Sequence, residues 1–354
     1  MNRKSESLVI AVAGICIGLI AALLVMLGNP VNMGFCIACF LRDISGALGL
    51  HRAAAVQYIR PEIIGLVLGS LLLALYRKEF LPRGGSSPMT RFVIAFFVMI
   101  GCLMFLGCPF RMILRLAGGD GNAIFGFFGF VAGILCGVFF LNRGYSLRRT
   151  YKLSAPEGAM LPAVMVALLA LLVIAPSFIF FTESGGGPGA KHAGVLFSLL
   201  AGLAVGAIAQ RTRLCMVGGI RDVVLFREYK LLLGFACVFA AALMANIGFG
   251  LFTPGFEGQP VAHTDGLWNA LGMLLCGFGC VLLGGCPLRQ LVLAGEGNTD
   301  SAVTVLGLLT GAAFAHNFGF AASAAGPSAN GKIAVVIGIA VVAAIACVNT
   351  FRKD

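Results

Sequence analysis

The sequence predicts an all-α polytopic membrane protein: about ten transmembrane helices plus four short re-entrant half-helices, arranged as two inverted repeats. Three observations predict it. Only 11% of the 354 residues are charged, against 59% hydrophobic, whereas a soluble domain carries about 25% charged residues. Apolar runs of about 20 residues, the length that crosses a bilayer core, recur along the whole chain. An eleven-residue pattern, G-C-x4-G-C-P-x-R, occurs at residues 101–111 and returns 178 positions later at 279–289.

The first span, 8–28, follows a short basic segment. It is too long for a signal-peptide core, and Asn29-Pro30 stands where a small-residue cleavage site would be, so the span is expected to be retained. Further spans are expected at 58–76, 91–107, 124–142, 160–182, 193–210, 229–252, 266–284, 301–322 and 332–350. Loops rich in Gly, Pro and Ser separate them at 83–88, 183–189 and 253–255. Four remaining apolar pieces, 31–48, 108–118, 212–227 and 286–294, are too short or too charged to span. They read as re-entrant half-helices, because backbone breaks at membrane depth only where it is buried in protein or lines a cavity.

The net charge of +11 does not point to nucleic acid, because the basic residues fall between apolar runs rather than on one face. With the N-terminus inside, 18 of the 25 Lys and Arg residues become cytoplasmic, the bias that sets membrane orientation. Both termini are then expected in the cytoplasm.

The repeat has further parts. Cys36 to Arg42-Asp43 and Cys215 to Arg221-Asp222 share a C-x5-R-D spacing at an offset of 179. The segments 116–122 and 293–298 match with one deletion. Five spans separate the start of one copy from the next, and an odd number inverts the second. The expected division is a first repeat over 1–158, a connecting helix and loop over 159–192, and a second repeat over 193–354. Transporters commonly place their substrate between such repeats, on broken helices near the midplane.

In each G-C-P-x-R element, glycine is expected to end one helix and proline to open the next. Cys108 and Cys286 then become N-caps, where free N–H groups and the positive helix end favour an anion, and thiolate over thiol. Arg111 and Arg289 fall in the first turn, where the dipole disfavours a cation. A bound anion would resolve that conflict; the bland alternative is a tight turn with its arginine on a lipid phosphate. Cys36 and Cys215 head the other half-helices. Their partners Arg42, Asp43, Arg221 and Asp222 either anchor the half-helix by hydrogen bonds or draw anions into a funnel. Topology puts Cys36 toward the outer side and Cys215 toward the cytoplasm, with Cys108 and Cys286 between, so that thiols string across the membrane.

Cys102 and Cys280 also match between copies, but on another helix face, and read as packing. Cys39 forms a C-x-x-C with Cys36, a weak redox signal on its own. Cys16, Cys136, Cys237, Cys276 and Cys347 read as small buried residues. His316-Asn317 fits either a pathway or helix–helix hydrogen bonding. Four scattered histidines at no ligand spacing argue against a metal. No phosphate-binding loop or dinucleotide fingerprint is present, so no cofactor is expected.

These paired elements in inverted halves resemble the YeeE/YedE sulfur-transport family of bacterial inner-membrane proteins, over nearly the whole chain. The run from Asn29 to Asp43, with His51-Arg52 and Tyr58-Ile-Arg-Pro-Glu62, is similar to the selenium-associated YedE branch. The resemblance implies thiosulfate uptake across the bacterial inner membrane past cysteines that make S–H···S contacts to the ion. That role falls on Cys36, Cys108 and Cys286, and the internal repeat adds Cys215. The branch implies a selenium compound or selenium-linked sulfur species as cargo, and a soluble cytoplasmic carrier of the sulfur-relay kind as partner. The resulting expectation is a permease, not an enzyme, importing a small sulfur- or selenium-containing anion; weak sites in series let an ion both enter and leave. The alternative is a membrane transferase that takes the chalcogen as a cysteine persulfide or selenosulfide. A weaker one is a structural subunit recruiting a relay protein through residues 211–230.

Overall fold

Apolar runs become helices at all ten expected spans. The computed structural model describes residues 3–351; Arg352, Lys353 and the side chains of Arg3 and Lys4, assigned to the cytoplasmic side by charge, lie outside the described residues. The helices are α1 (Arg3–Met26), α2 (Ile37–Ala47), α3 (Pro61–Tyr76), α4 (Pro88–Met104), α5 (Pro109–Ala117), α6 (Asn122–Leu141), α7 (Ala155–Gly158) and α8 (Met160–Ile174). The second half adds α9 (Val195–Thr212), α10 (Met216–Phe226), α11 (Lys230–Gly248), α12 (Gly266–Leu283), α13 (Pro287–Gly295), α14 (Thr299–Asn317) and α15 (Ala329–Phe351). A two-residue antiparallel pairing of β1 (Arg83–Gly84) with β2 (Tyr151–Lys152) ties two loops together. The protein is a predominantly helical, multi-pass membrane protein.

Among the described residues, eight segments are long and apolar enough to cross a bilayer. Two expected spans fall short of that measure. Helix α8 has 15 residues, and α14 carries Asp300, Ser301 and Thr304 on its buried face. The four short pieces form α2, α5, α10 and α13, each beginning at a cysteine N-cap. Proline at the first turn opens α5 and α13, a position where its missing N–H costs nothing.

The strongest helix pairings each join one helix from either half: α6 with α12, α14 with α4, α3 with α9, and α1 with α11. The sequence makes this possible with glycines spaced four apart. A side chain on Gly129 or Gly133 of α6 would overlap the carbonyls of Ala270 and Leu274 on α12. The equivalent glycines 178 residues on, Gly307 and Gly311 of α14, meet the carbonyls of Phe92 and Phe96 on α4 in the same way. Gly14 and Gly18 of α1 lie against Gly234 and Val238, and Gly202 and Gly206 of α9 against Glu62 and Leu66. Small residues let backbones approach, and lipid supplies no hydrophobic force to pull helices together. Apolar side chains such as Leu19, Phe128 and Val336 remain exposed on the outward faces.

One expected detail differs between the copies. After α12 the left-handed turn is made by Gly284 (φ 82°), as a helix-ending glycine should. After α4 it is made by Leu106 (φ 60°), at the equivalent position, rather than by Gly107. Leucine is strained in that conformation, where glycine is free.

Candidate permeation site

Each half-helix turns its N-terminus toward another. Cys36, N-cap of α2, places its Sγ 4.0 Å from that of Cys108, N-cap of α5. Cys215, N-cap of α10, stands 3.8 Å from Cys286, N-cap of α13. Two positive helix ends therefore converge on each thiol pair. The Cys36 sulfur accepts the Cys39 N–H at 3.4 Å. That of Cys215 accepts two, from Gly218 and Cys286, both at 3.5 Å. All four cysteines are buried and free of disulfides. The structure thus brings the thiols together as two pairs.

The arginines divide sharply. Arg111 is fully buried and spends all its N–H groups on neutral acceptors. Nε donates to Asn32 O at 3.1 Å, Nη1 to Leu106 O and toward Cys39 Sγ at 3.9 Å, and Nη2 to Pro260 O and Val261 O at 3.2 Å each. Arg289 donates to Glu296 at 3.1 Å and lines an open cavity of about 320 Å³. Lys78, Arg83 and Arg213 also line it, with Glu79 and Asn298. Glu79 is held below the usual carboxylate range, chiefly by the hydrogen bond from Arg77 and then by that from Gln210. Cations exceed carboxylates around this cavity, two residues from Cys215 and three from Cys286.

Arg42 and Asp43 form a buried ion pair at 2.7 Å. The other Asp43 oxygen takes Arg60, also at 2.7 Å, a residue that the sequence reading quoted within the 58–62 run but gave no role. Arg60 stacks on Phe40 and donates to the carbonyls of Lys191 and Pro188, so Asp43 ties α2 to the start of α3 and to the loop before α9. Arg221 and Asp222 pair at 2.8 Å but stay partly exposed. His316 packs its ring 4.6 Å from that of His51, and Asn317 donates to Leu50 O.

Three thiols read as packing make a further cluster: Cys102 lies 3.5 Å from Cys276, which lies 3.9 Å from Cys280. The four-residue spacing of Cys276 and Cys280 on one helix face was the available signal. Glu62 is buried with Asn29 and Ser198 as donors, and its second oxygen has no partner. No group of metal-ligating side chains occurs among the described residues.

Residues 211–351 match the sulphur-transport family. Over 112 residues the chain is 29% identical to the thiosulfate transporter TsuA of Escherichia coli (strain K12). That stretch is 31% of this chain and 31% of the relative, so the match spans about a third of the relative's length.

Proposed function

We propose, from the match of residues 211–351 to the sulphur-transport family, that the whole protein is an inner-membrane permease importing a small sulfur- or selenium-containing anion of the thiosulfate kind. The carrying observation is the set of four cysteine-capped half-helices whose N-termini meet in two thiol pairs. Large, polarizable sulfur and selenium oxyanions suit such sites: helix ends supply positive potential, and thiols bind weakly enough to release. The ion enters at Cys36 and Cys108, passes to Cys286 and Cys215, and leaves through the basic cavity lined by Arg213 and Arg289. The exchange of helix partners between halves supports two inverted repeats, 1–158 and 193–354, joined by 159–192, and the bias of Lys and Arg supports both termini in the cytoplasm. A cytoplasmic sulfur-relay carrier would collect the cargo at that basic mouth.

Labelled thiosulfate uptake into proteoliposomes, with selenite and selenosulfate as competitors, tests this. Cys108→Ser with Cys286→Ser is expected to abolish most uptake while the protein still folds; normal uptake would sink the thiol path. The two N–H bonds to Cys215 favour a second reading, a transferase. There a Cys215 thiolate attacks the outer sulfur of thiosulfate, the S–S bond breaks, sulfite leaves with the electron pair, and a persulfide remains. An added 32 Da on Cys215 after exposure, about one sulfur atom, would support it.

A further inference from the structure

Of the buried arginines Arg42, Arg60, Arg111 and Arg115, Arg111 alone has no carboxylate partner among the described residues. A guanidinium withdrawn from water onto neutral carbonyls lacks the counter-charge that such burial normally demands. The acceptors are themselves unusual. Asn32, Leu106 and Val261, each giving its carbonyl to Arg111, have positive φ of 59°, 60° and 50°. Asparagine tolerates that region, but leucine and β-branched valine do not. In the other copy the turn uses Gly284, and Arg289 bonds Glu296 instead. Among the described residues, three of the nine non-glycine residues with positive φ thus give carbonyls to Arg111, and the turn equivalent to Leu106 uses glycine; the other six, Lys78 and Arg213 included, lie elsewhere. Such strain persists only when its surroundings enforce it, and it concentrates at ligand clamps and switches.

Pro260 and Val261 belong to a segment fixed at both ends. At one end Thr253 and Gly255 donate to Gly118 O and Gly119 O. At the other, His263 Nε2 donates to Met104 O at 2.8 Å. Between them Gly255 and Gly258, at φ 148° and 67°, supply pivots. Besides Arg111, Asn122 holds Phe256 O, Phe256 packs on Phe125, and within the segment Gln259 donates to Thr253 O and Gly255 O.

We propose that the Nη2 edge of Arg111 is a seat for a small oxyanion, filled in the anion's absence by the carbonyls of Pro260 and Val261, and that residues 256–262 form a lid over the Cys36–Cys108 end. An oxyanion out-competes a peptide carbonyl, because it adds attraction between opposite full charges in a poorly screened site and matches the planar fork of the guanidinium. The arriving ion takes Nη2, the strained Val261 relaxes, and the lid opens. The ion thus prefers the open state, as any ligand that shifts a conformation must. This proposal rests on the permease reading and specifies how the ion gains entry.

The test is hydrogen–deuterium exchange over 256–262 in proteoliposomes, with thiosulfate uptake measured on the same preparation. Thiosulfate is expected to raise exchange in this stretch several-fold, with little change in α12. Arg111→Lys, which keeps the charge but loses the fork, should exchange fast without the ion and respond to it weakly. Val261→Asn relieves the left-handed strain while keeping the carbonyl, so it should require about fivefold more thiosulfate for half-maximal opening. Should the lysine variant fail to fold, the asparagine variant decides alone. Uptake with unchanged exchange overturns the lid and leaves the permease standing. Thiosulfate that neither crosses nor alters exchange overturns both, and altered exchange without uptake supports the seat while removing the permease.

Discussion

The Cys36–Cys108 end and the Cys215–Cys286 end are built from one repeated pattern, yet they treat its arginine in opposite ways. At the first, Arg111 is sealed beneath backbone carbonyls drawn from residues 32, 106, 260 and 261. At the second, Arg289 faces a cavity of about 320 Å³ with Lys78, Arg83 and Arg213. The packing between halves is nevertheless matched nearly residue for residue, down to the glycines that let α6 meet α12 and α14 meet α4. Duplication therefore preserved the frame while the two mouths diverged. One end is sealed over its arginine and the other leaves its arginine in an open, charged cavity.

The largest effect should come from breaking the shared frame. Gly133→Leu and Gly311→Leu each force a side chain into a facing carbonyl, Leu274 O or Phe96 O, and overpacking a close helix contact costs about 3 kcal/mol or more. Both variants are expected to lose most folded protein, read by size-exclusion and thermal unfolding in detergent. A variant that tolerates one change but not the other would show that the halves do not pack equivalently.

The arginines give a smaller and unequal effect. Arg111→Gln strips donors from buried carbonyls and should cost about 2–3 kcal/mol of stability. Arg289→Gln breaks one partly exposed pair, of side-chain exposure 12% and 15%, and should cost about 1 kcal/mol or less. Its mark should be on transport: weaker anion attraction at the cavity, and uptake less sensitive to ionic strength. Equal thermal shifts for the two variants would remove the distinction between sealed and open ends.

How much of this was legible in sequence follows from what carries the signal. The spans and half-helices could be placed because apolar runs end at glycine and proline clusters, and because the repeat marked each half-helix twice. The cysteine N-caps were legible for the same reason. The ring of acceptors around Arg111 was not, because backbone carbonyls at 32, 106, 260 and 261 carry no side-chain signature. Only the substitution of Leu106 for a repeat-related glycine hinted at it, and it is visible as strain once the turn is seen. Arg60 was quoted in the 58–62 run, but its pairing was not foreseen because Asp43 lies 17 residues away, with a neighbouring arginine to explain it. The spaced glycines at 129, 133, 307 and 311 were readable as a small-residue seam. They were lost among 49 glycines.

The smallest expected effect uses pH to separate the two ends. His263, at the base of the segment over Arg111, accepts the Asp265 N–H on Nδ1 at 3.3 Å and donates from Nε2 to Met104 O. The first bond requires an unprotonated Nδ1, whereas the donation to Met104 O survives protonation. Burial first of all pushes this histidine below its ordinary value; the bond to Met104 O favours protonation, Arg115 opposes it, and Asp265 and Asp120 favour it less strongly. The unfolded chain therefore takes up a proton at a higher pH than the folded one. Stability from His263 is complete above the unfolded value near 6.5 and is lost as pH falls toward the depressed folded value. Lowering pH from 7.5 to 5.5 should reduce amide protection, taken relative to the intrinsic exchange rate at each pH, at 261–265 more than around Arg213 and Arg289, where no histidine lines the cavity. His263→Gln keeps a donor without a titrating ring and should flatten that response. If acid loosened both ends alike, the histidine could not be what distinguishes them, and the sealed end would owe its closure to Arg111 alone.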